Sequence, residues 1–502
     1  MMALIDRIPH TEQAAAHRPW PRVTVTDAGW AAAIDLLVKG ECTLFGLWGD
    51  TQAVHMALIG RDNEIAVLTY ACKDGRFPSV GAQHPPAIRL ERAIGSLFGL
   101  QAAGSPDTRP WLDLGFWNVA QPLGPAAARE SGATGKYEFL PVEGEALHEV
   151  PVGPVHAGII EPGHFRFTAN GEFVVRLEQR LGYVHKGIES LMRGASLDKA
   201  AGLAARTSGD STVAYSYAFA QAVEAALQQP APPRATYLRA LMAELERLAN
   251  HFGDVGAICN DASFALMHAQ CGILRERVLR AADVCFGHRL MMDAIVPGGV
   301  ARDIGPEGPP TLHALVAEVR KVWPQLIELY DNTASLQDRT VTTGIVKPEY
   351  AKQFGAGGHV GRASGRGFDA RRALAYAPYD GLSFEVPVFE AGDVNARVWV
   401  RIREVEQSLS LIEQILTALP DGAVARPLAP GAGEGLGVAE AFRGDVLAWV
   451  RLGADGRIER CHLRDASWFQ WPLLETAIEN NIIADFPLCN KSFNCSYSGH
   501  DL

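Results

Sequence analysis

Apolar and polar residues alternate with period two over part of the first hundred positions. Thr43, Phe45 and Leu47, then Val54 to Ile59, then Ile65 to Ala71 read as strands, with turn-forming Gly49-Asp50 and Gly60-Arg61-Asp62 between them. A helix is expected from Ala87 to Leu100, so this part reads as a small α/β domain. From Gln101 to Pro154 the composition shifts to Ala, Gly and Pro, including the run GPAAARESGATG, which is linker chemistry with little to bury. A boundary is therefore expected near residue 140, dividing the chain into 1–140 and 150–502. Beyond it the period changes: Leu238, Leu241, Met242, Leu245, Leu248 and Phe252 share one helix face opposite Arg239, Glu246 and Arg247. Val405, Leu409, Ile412 and Leu416 repeat that pattern. The proline-glycine breaks VPGGV and ARPLAPGAGEG separate the helices from a C-terminal region where DVLAWVRL and RIERCHL return to strand. The expected fold class is α+β, a small N-terminal α/β domain followed by a mostly helical domain with peripheral strands.

Length and charge narrow the function. A chain of 502 residues is long enough for two or three domains. The net charge of -11 and the absence of a sustained Lys/Arg stripe argue against nucleic acid as a partner. No run of about 18 apolar residues occurs, and the opening MMALIDRIPHTEQAAAHRPW lacks the apolar core of a signal peptide, so a cytoplasmic chain is expected. Its eight cysteines are scattered without a C-x-x-C pair, which predicts reduced thiols and no iron–sulfur cluster held by this chain.

The stretch richest in candidate chemistry is RTSGDSTVAYSYAFAQAVE, from Arg206 to Glu224. It resembles the first metal-binding segment of [NiFe] hydrogenase large subunits, R-x-C-G-x-C-x-x-x-H…A-V-E, with Ser208 and Ser211 where the thiolates stand and Tyr215 where the histidine stands. The run Ser492-Phe493-Asn494-Cys495-Ser496-Tyr497-Ser498 is similar to the second segment, D-P-C-x-x-C, with Cys495 retained and Ser498 at its partner position. Nickel and iron are held there by soft thiolates, which serine hydroxyls cannot replace. The resemblance therefore implies a kept scaffold without a dinuclear metal centre.

Other segments extend the likeness. GPVHAGIIEPGHFRF (153–167), GEFVVRLEQRLGYVHKGIE (171–189), GHRLMMDAIVPGGVARD (287–303) and HVGRASGRGFDARRA (359–373) resemble the superfamily shared by the complex I 49 kDa subunit and group 4 membrane-bound hydrogenase large subunits. LERAIGSLFGLQAAGSPDTRPWLD (90–113) resembles the complex I 30 kDa subunit, a fusion found in hydrogenase-3 and hydrogenase-4 type large subunits.

That likeness implies roles for particular residues. Glu161, in EPGHFRF, matches a glutamate that relays protons from the metal site; alternatively it caps a turn or pairs with an arginine. His156 is a candidate second donor to the cavity, or is simply bonded to backbone. His185 and Lys186, in GYVHKGIE, match a run placed near the partner's iron–sulfur cluster, where a basic group raises the reduction potential; otherwise they are solvated charges at a helix start. Asp210 and Tyr215, with Tyr217, would line the former metal cavity, open to an organic acceptor or to ordered water. The quinone-contacting His and Tyr of the complex I subunit fall on Ile160 and Gly209, so quinone binding does not carry over residue by residue. Gly355, Gly357, Gly358 and Gly361 depart from dinucleotide-loop spacing, and Cys489, Cys495 and His500 fit no standard zinc pattern.

The chain is thus expected to be a soluble-arm subunit of a membrane-associated, complex I-like redox complex, energy-converting-hydrogenase-related, coupling electron transfer to proton or ion translocation without nickel-iron catalysis. The resemblance implies a hetero-oligomer with a small iron–sulfur subunit carrying a [4Fe-4S] cluster and with antiporter-like membrane subunits. It would lie on the inner face of the cell membrane, with NADH or formate oxidised elsewhere. Two alternatives stand beside it: a redox-inactive structural coupling subunit, and an NADH-quinone oxidoreductase-type subunit with quinone as a possible ligand.

Overall fold

The computed structural model describes residues 3–128, 135–155 and 160–502. The period-two segments form strands Cys42–Asp50, Ala53–Gly60 and Ile65–Ala71, paired antiparallel in sequence order. Arg22–Val25 runs parallel to Ile65–Ala71, and Glu12–Gln13 closes the edge. Helices Asp27–Val38 and Ile88–Phe98 pack on this sheet. The second begins after the 3-10 turn Pro85–Ala87 and stops at Gly99, whose φ of 74° is the left-handed turn that glycine supplies without a Cβ penalty. It is therefore slightly shorter than the expected 87–100.

The stretch after Gln101 is better anchored than its composition predicts. Trp111, Leu112, Leu123 and Tyr137 are buried. Leu147–Val152 is a strand, paired with His164–Asn170, which in turn pairs with Phe173–Arg180. Period-two alternation in LHEVPV was the available signal, obscured by the surrounding Gly and Pro.

The helical half is built on Pro233–Asp261, flanked by Ala265–Phe286 and Val394–Ala418, with Gly308–Asn332 outside. Leu238, Leu241, Leu245, Leu248 and Phe252 are fully buried, as the 3.6 period requires. The C-terminal sheet consists of Gly433–Ala441, Gly444–Leu452 and Ile458–Arg464, antiparallel in order, and a fourth strand, His17–Arg18, joins it parallel to Gly433–Ala441. The chain's first residues therefore reach its last sheet.

Helix Thr212–Leu227 lies across Gly433–Ala441 at backbone distance. Gly433, Gly435 and Gly437, every second residue of the strand, face Ala226, Ala222 and Ala218, every fourth residue of the helix; a Cβ on Gly435 would stand 1.9 Å from the Ala222 carbonyl oxygen. One apolar core unites the long helices with the C-terminal sheet. A second joins the N-terminal sheet to 165–181, 346–360 and 468–497. Helices and sheets together make the fold α+β. Among the described residues no helix is long and apolar enough to cross a membrane.

Candidate functional site

The two serine-bearing segments meet. Ser208 and Ser211 lie in the turn ahead of Thr212–Leu227, and Cys495 and Ser498 follow the short helix Phe486–Phe493. All four are buried, and the segments touch where Ser496 Oγ donates to Ser208 Oγ at 3.4 Å. Trp471 Nε1 donates to the Ser496 carbonyl and Ser467 Oγ accepts the Ser496 N–H, fixing the second segment from the helix Ser467–Ala477.

Arg443 stands between the segments. It sits in the two-residue turn between Gly433–Ala441 and Gly444–Leu452, and is buried. Its guanidinium donates to Asp210 at 2.9 and 2.5 Å, to Ser211 Oγ at 3.1 Å, and to the Asn494 carbonyl. Ser208 and Ser211 donate to the same Asp210 carboxylate, at 2.6 and 3.3 Å. Burial would raise the Asp210 carboxyl, but Arg443 and the two hydroxyls hold it down at about 2. The glycine run at 355–361 supplies the seat: a Cβ on Gly358 would stand 2.0 Å from the Arg443 carbonyl oxygen. Gly357 and Gly358 serve close packing of this turn, whereas Gly355 faces Thr43 and Gly361 the Ala356 carbonyl.

The other expected site residues are distributed around this junction. Tyr215 donates to Asp465 at 2.7 Å, and burial first, then that carboxylate, raises its pKa well above the usual tyrosine value. Its hydroxyl is thereby committed to Asp465. Tyr217 donates to the Ala377 carbonyl. Glu161 is exposed and accepts the Ser498 N–H at 3.0 Å, capping the turn and placing its carboxylate against a ligand-equivalent position. His156 lies outside the described residues. Lys186 Nζ donates to the carbonyls of Arg206 and Thr207, both at 2.8 Å, closing the end of helix Leu197–Ala205 just before the serines. His185 Nδ1 bonds the Asp501 carbonyl at 2.9 Å and the ring stacks on Trp117. His500 stacks on Trp468 and bonds Asp501, apart from Cys489, whose surroundings are Gly344 and Arg397.

Three groups were not singled out from sequence. Arg443, Asp465 and Glu246 lie 233, 250 and 33 residues from the loop partners they touch. A lone arginine in the turn AFRGDV was the one local hint.

The donor set does not fit a nickel-iron centre. It comprises three hydroxyls and one thiol, where soft nickel and iron call for thiolates that serine hydroxyls cannot replace. A guanidinium beside the serines adds positive charge where a dication would sit. Among the described residues no cluster of three His, Cys, Asp or Glu could hold a metal ion.

Residues 263–430 match the family model described as respiratory-chain NADH dehydrogenase, 49 Kd subunit. The chain is 31% identical to formate hydrogenlyase subunit 5 of Escherichia coli over 85% of its own length and 77% of that protein. It is 31% identical to hydrogenase-4 component G of the same organism, over 94% and 84%. Carbon monoxide-induced hydrogenase of Rhodospirillum rubrum matches at 31% over 70% and 98%. A chain in the solved structure of the membrane-bound sulfane sulfur reductase, an archaeal respiratory membrane complex, superposes with a TM-score of 0.68 at 25% identity, over 72% of this chain and all of that one. With its fused N-terminal part, the chain belongs to the family of complex I 49 kDa-type and membrane-bound hydrogenase large subunits, oxidoreductase subunits of multi-subunit complexes.

Proposed function

We propose that this chain is the soluble-arm large subunit of a membrane-associated complex I-like redox complex, taking part in electron transfer coupled to proton or ion translocation without nickel-iron catalysis. The observation that supports this reading is the junction of the two segments, where the Arg443–Asp210 ion pair lies among serines that the resemblance would align with thiolates, Ser208, Ser211 and Ser498. Electrons would come from a [4Fe-4S] cluster in a small partner subunit docked near His185 and Lys186, and antiporter-like membrane subunits would hold the assembly on the inner face of the membrane. Elemental analysis of the purified complex tests the central claim: iron attributable to the small subunit is expected, with no stoichiometric nickel. About one nickel per chain would end the reading.

One observation favours a second account, the redox-inactive coupling subunit. The Ser208 and Ser211 hydroxyls, Asp210 and Arg443 satisfy one another, and Tyr215 is satisfied by Asp465, as a rigid joint requires. Reduction of an added acceptor by the complex, lost on changing residues of this junction while assembly persists, separates the two.

A further inference from the structure

Glu246 lies behind the serine loop, held there by backbone amides. It is buried on Pro233–Asp261, on the side away from the leucine face, and its two carboxyl oxygens accept the Val213 N–H at 2.7 Å and the Ala214 N–H at 3.1 Å. These amides belong to the first turn of Thr212–Leu227, where backbone donors lack helical partners. The charged groups around it come from four elements: Arg247 on its own helix, Asp210 in the loop, Arg275 on Ala265–Phe286, and Arg289 in the turn that follows. Arg247 pairs with Glu244 and Glu404, Arg289 with Glu276, and Arg443 with Asp210. Among the described residues no ion pair reaches Glu246.

A narrow cleft borders this carboxyl, lined by buried and exposed residues together. Buried Glu246 and Asn250 line it together with half-buried Asp210 and the exposed Gly209, Arg275 and Arg289. The space in it open to the centre of a water molecule is about 10 Å³, at the threshold for holding a single water.

We propose that Glu246 is a proton-exchange site serving the serine loop, loading and unloading through the cleft beside Asn250, Arg275 and Arg289. The assignment rests on the reading above that this junction takes part in proton-coupled chemistry. On loading, a proton leaves a hydronium ion in the cleft and an O–H bond forms on the Glu246 carboxylate; unloading reverses this, and no electron moves. Burial, reinforced by Asp210, outweighs the two amide bonds and pushes the Glu246 carboxyl up to about 8. At neutral pH it holds its proton and is close to releasing it, the condition for exchange.

Infrared difference spectroscopy on the intact purified complex tests this. Wild type should show one protonated-carboxyl C=O band that is absent in Glu246→Gln, shifts in D2O, and bleaches with a midpoint near pH 8. Asp210→Asn should move that midpoint downward, because it removes the neighbouring negative charge and leaves Arg443 uncompensated. Should Glu246→Gln not assemble, Glu246→Asp retains a titrating carboxyl, and its band should move. A missing band, a band unchanged in D2O, or a midpoint indifferent to Asp210→Asn overturns the proposal. Absence of the band alongside impaired coupling in Glu161→Gln would sink the Glu246 assignment alone. A normal band with unimpaired coupling in Glu161→Gln would sink the proton role of the junction and, with it, the service assigned to Glu246.

Discussion

Glu161 and Glu189 are two carboxylates of the 153–189 region whose environments ask for different tests. Glu161 is exposed and accepts one backbone N–H, from Ser498. Glu161→Gln keeps a carbonyl oxygen for that bond and removes only ionisation. If the residue relays protons, coupled turnover of the assembled complex should fall roughly a hundredfold; a variant with unchanged proton pumping would leave it as a turn cap. Glu189 is buried and accepts from Arg460 at 2.8 Å, from His462 at 2.8 Å and from the Leu463 N–H at 3.0 Å. Burial alone would raise its carboxyl, but Arg460, His462 and that amide hold it at about 2, below the ordinary 4.5. A depressed folded-state value means the stabilisation is fully present above pH 4.5 and is lost as pH falls towards about 2. Denaturant midpoints across that window should therefore fall in wild type and flatten in Glu189→Gln. The variant should also cost about 3 kcal/mol at neutral pH, since Arg460 is left buried and unpaired.

At the scale of elements, the contact between Thr212–Leu227 and Gly433–Ala441 sets the site. The helix carries the serine loop at its start, and the strand leads into the turn that bears Arg443, so the closeness of the two decides whether Arg443 reaches Asp210. Gly435→Ala places a methyl 1.9 Å from the Ala222 carbonyl oxygen, a backbone atom that cannot move without the helix. We expect a loss of about 3 kcal/mol or more, or failure to fold. Gly209→Ala, where nothing lies within 4 Å of the added carbon, should be nearly neutral by thermal unfolding. Equal stability of the two variants would show that the helix and strand are not packed this closely.

For the whole molecule, the second core matters most. Trp111 and Leu112 share it with Phe165, Leu181, Trp468, Trp471 and Phe493, and His17–Arg18 is a strand of the C-terminal sheet. The boundary near residue 140 remains a proposal about chain continuity; the packing on either side of it is common. Limited proteolysis should cut between Gln101 and Val150, where Ala, Gly and Pro are frequent. The fragments should nevertheless co-elute under native conditions and separate only in denaturant. Spontaneous separation of a folded N-terminal fragment would show that the shared core contributes little.

What was legible in the chain itself was whatever repeats or matches locally. Period two marked the strands at 42–71, period 3.6 marked the face of Pro233–Asp261, and the ordered motifs marked the family, because side-chain direction and hydrophobic spacing are local properties. The serines at 208, 211 and 498, where the resemblance would place thiolates, needed only to be read in place. Sequence alone could not bring Arg443 to Asp210, 233 residues away, or Tyr215 to Asp465, 250 residues away. Nor could it disclose that, among the described residues, no ion pair reaches Glu246, because a carboxyl's charge state depends on what every neighbouring element presents to it. Those choices were made by the packing of a glycine-faced strand against an alanine-faced helix, which forces distant segments to within hydrogen-bonding distance and leaves the charges to settle with one another.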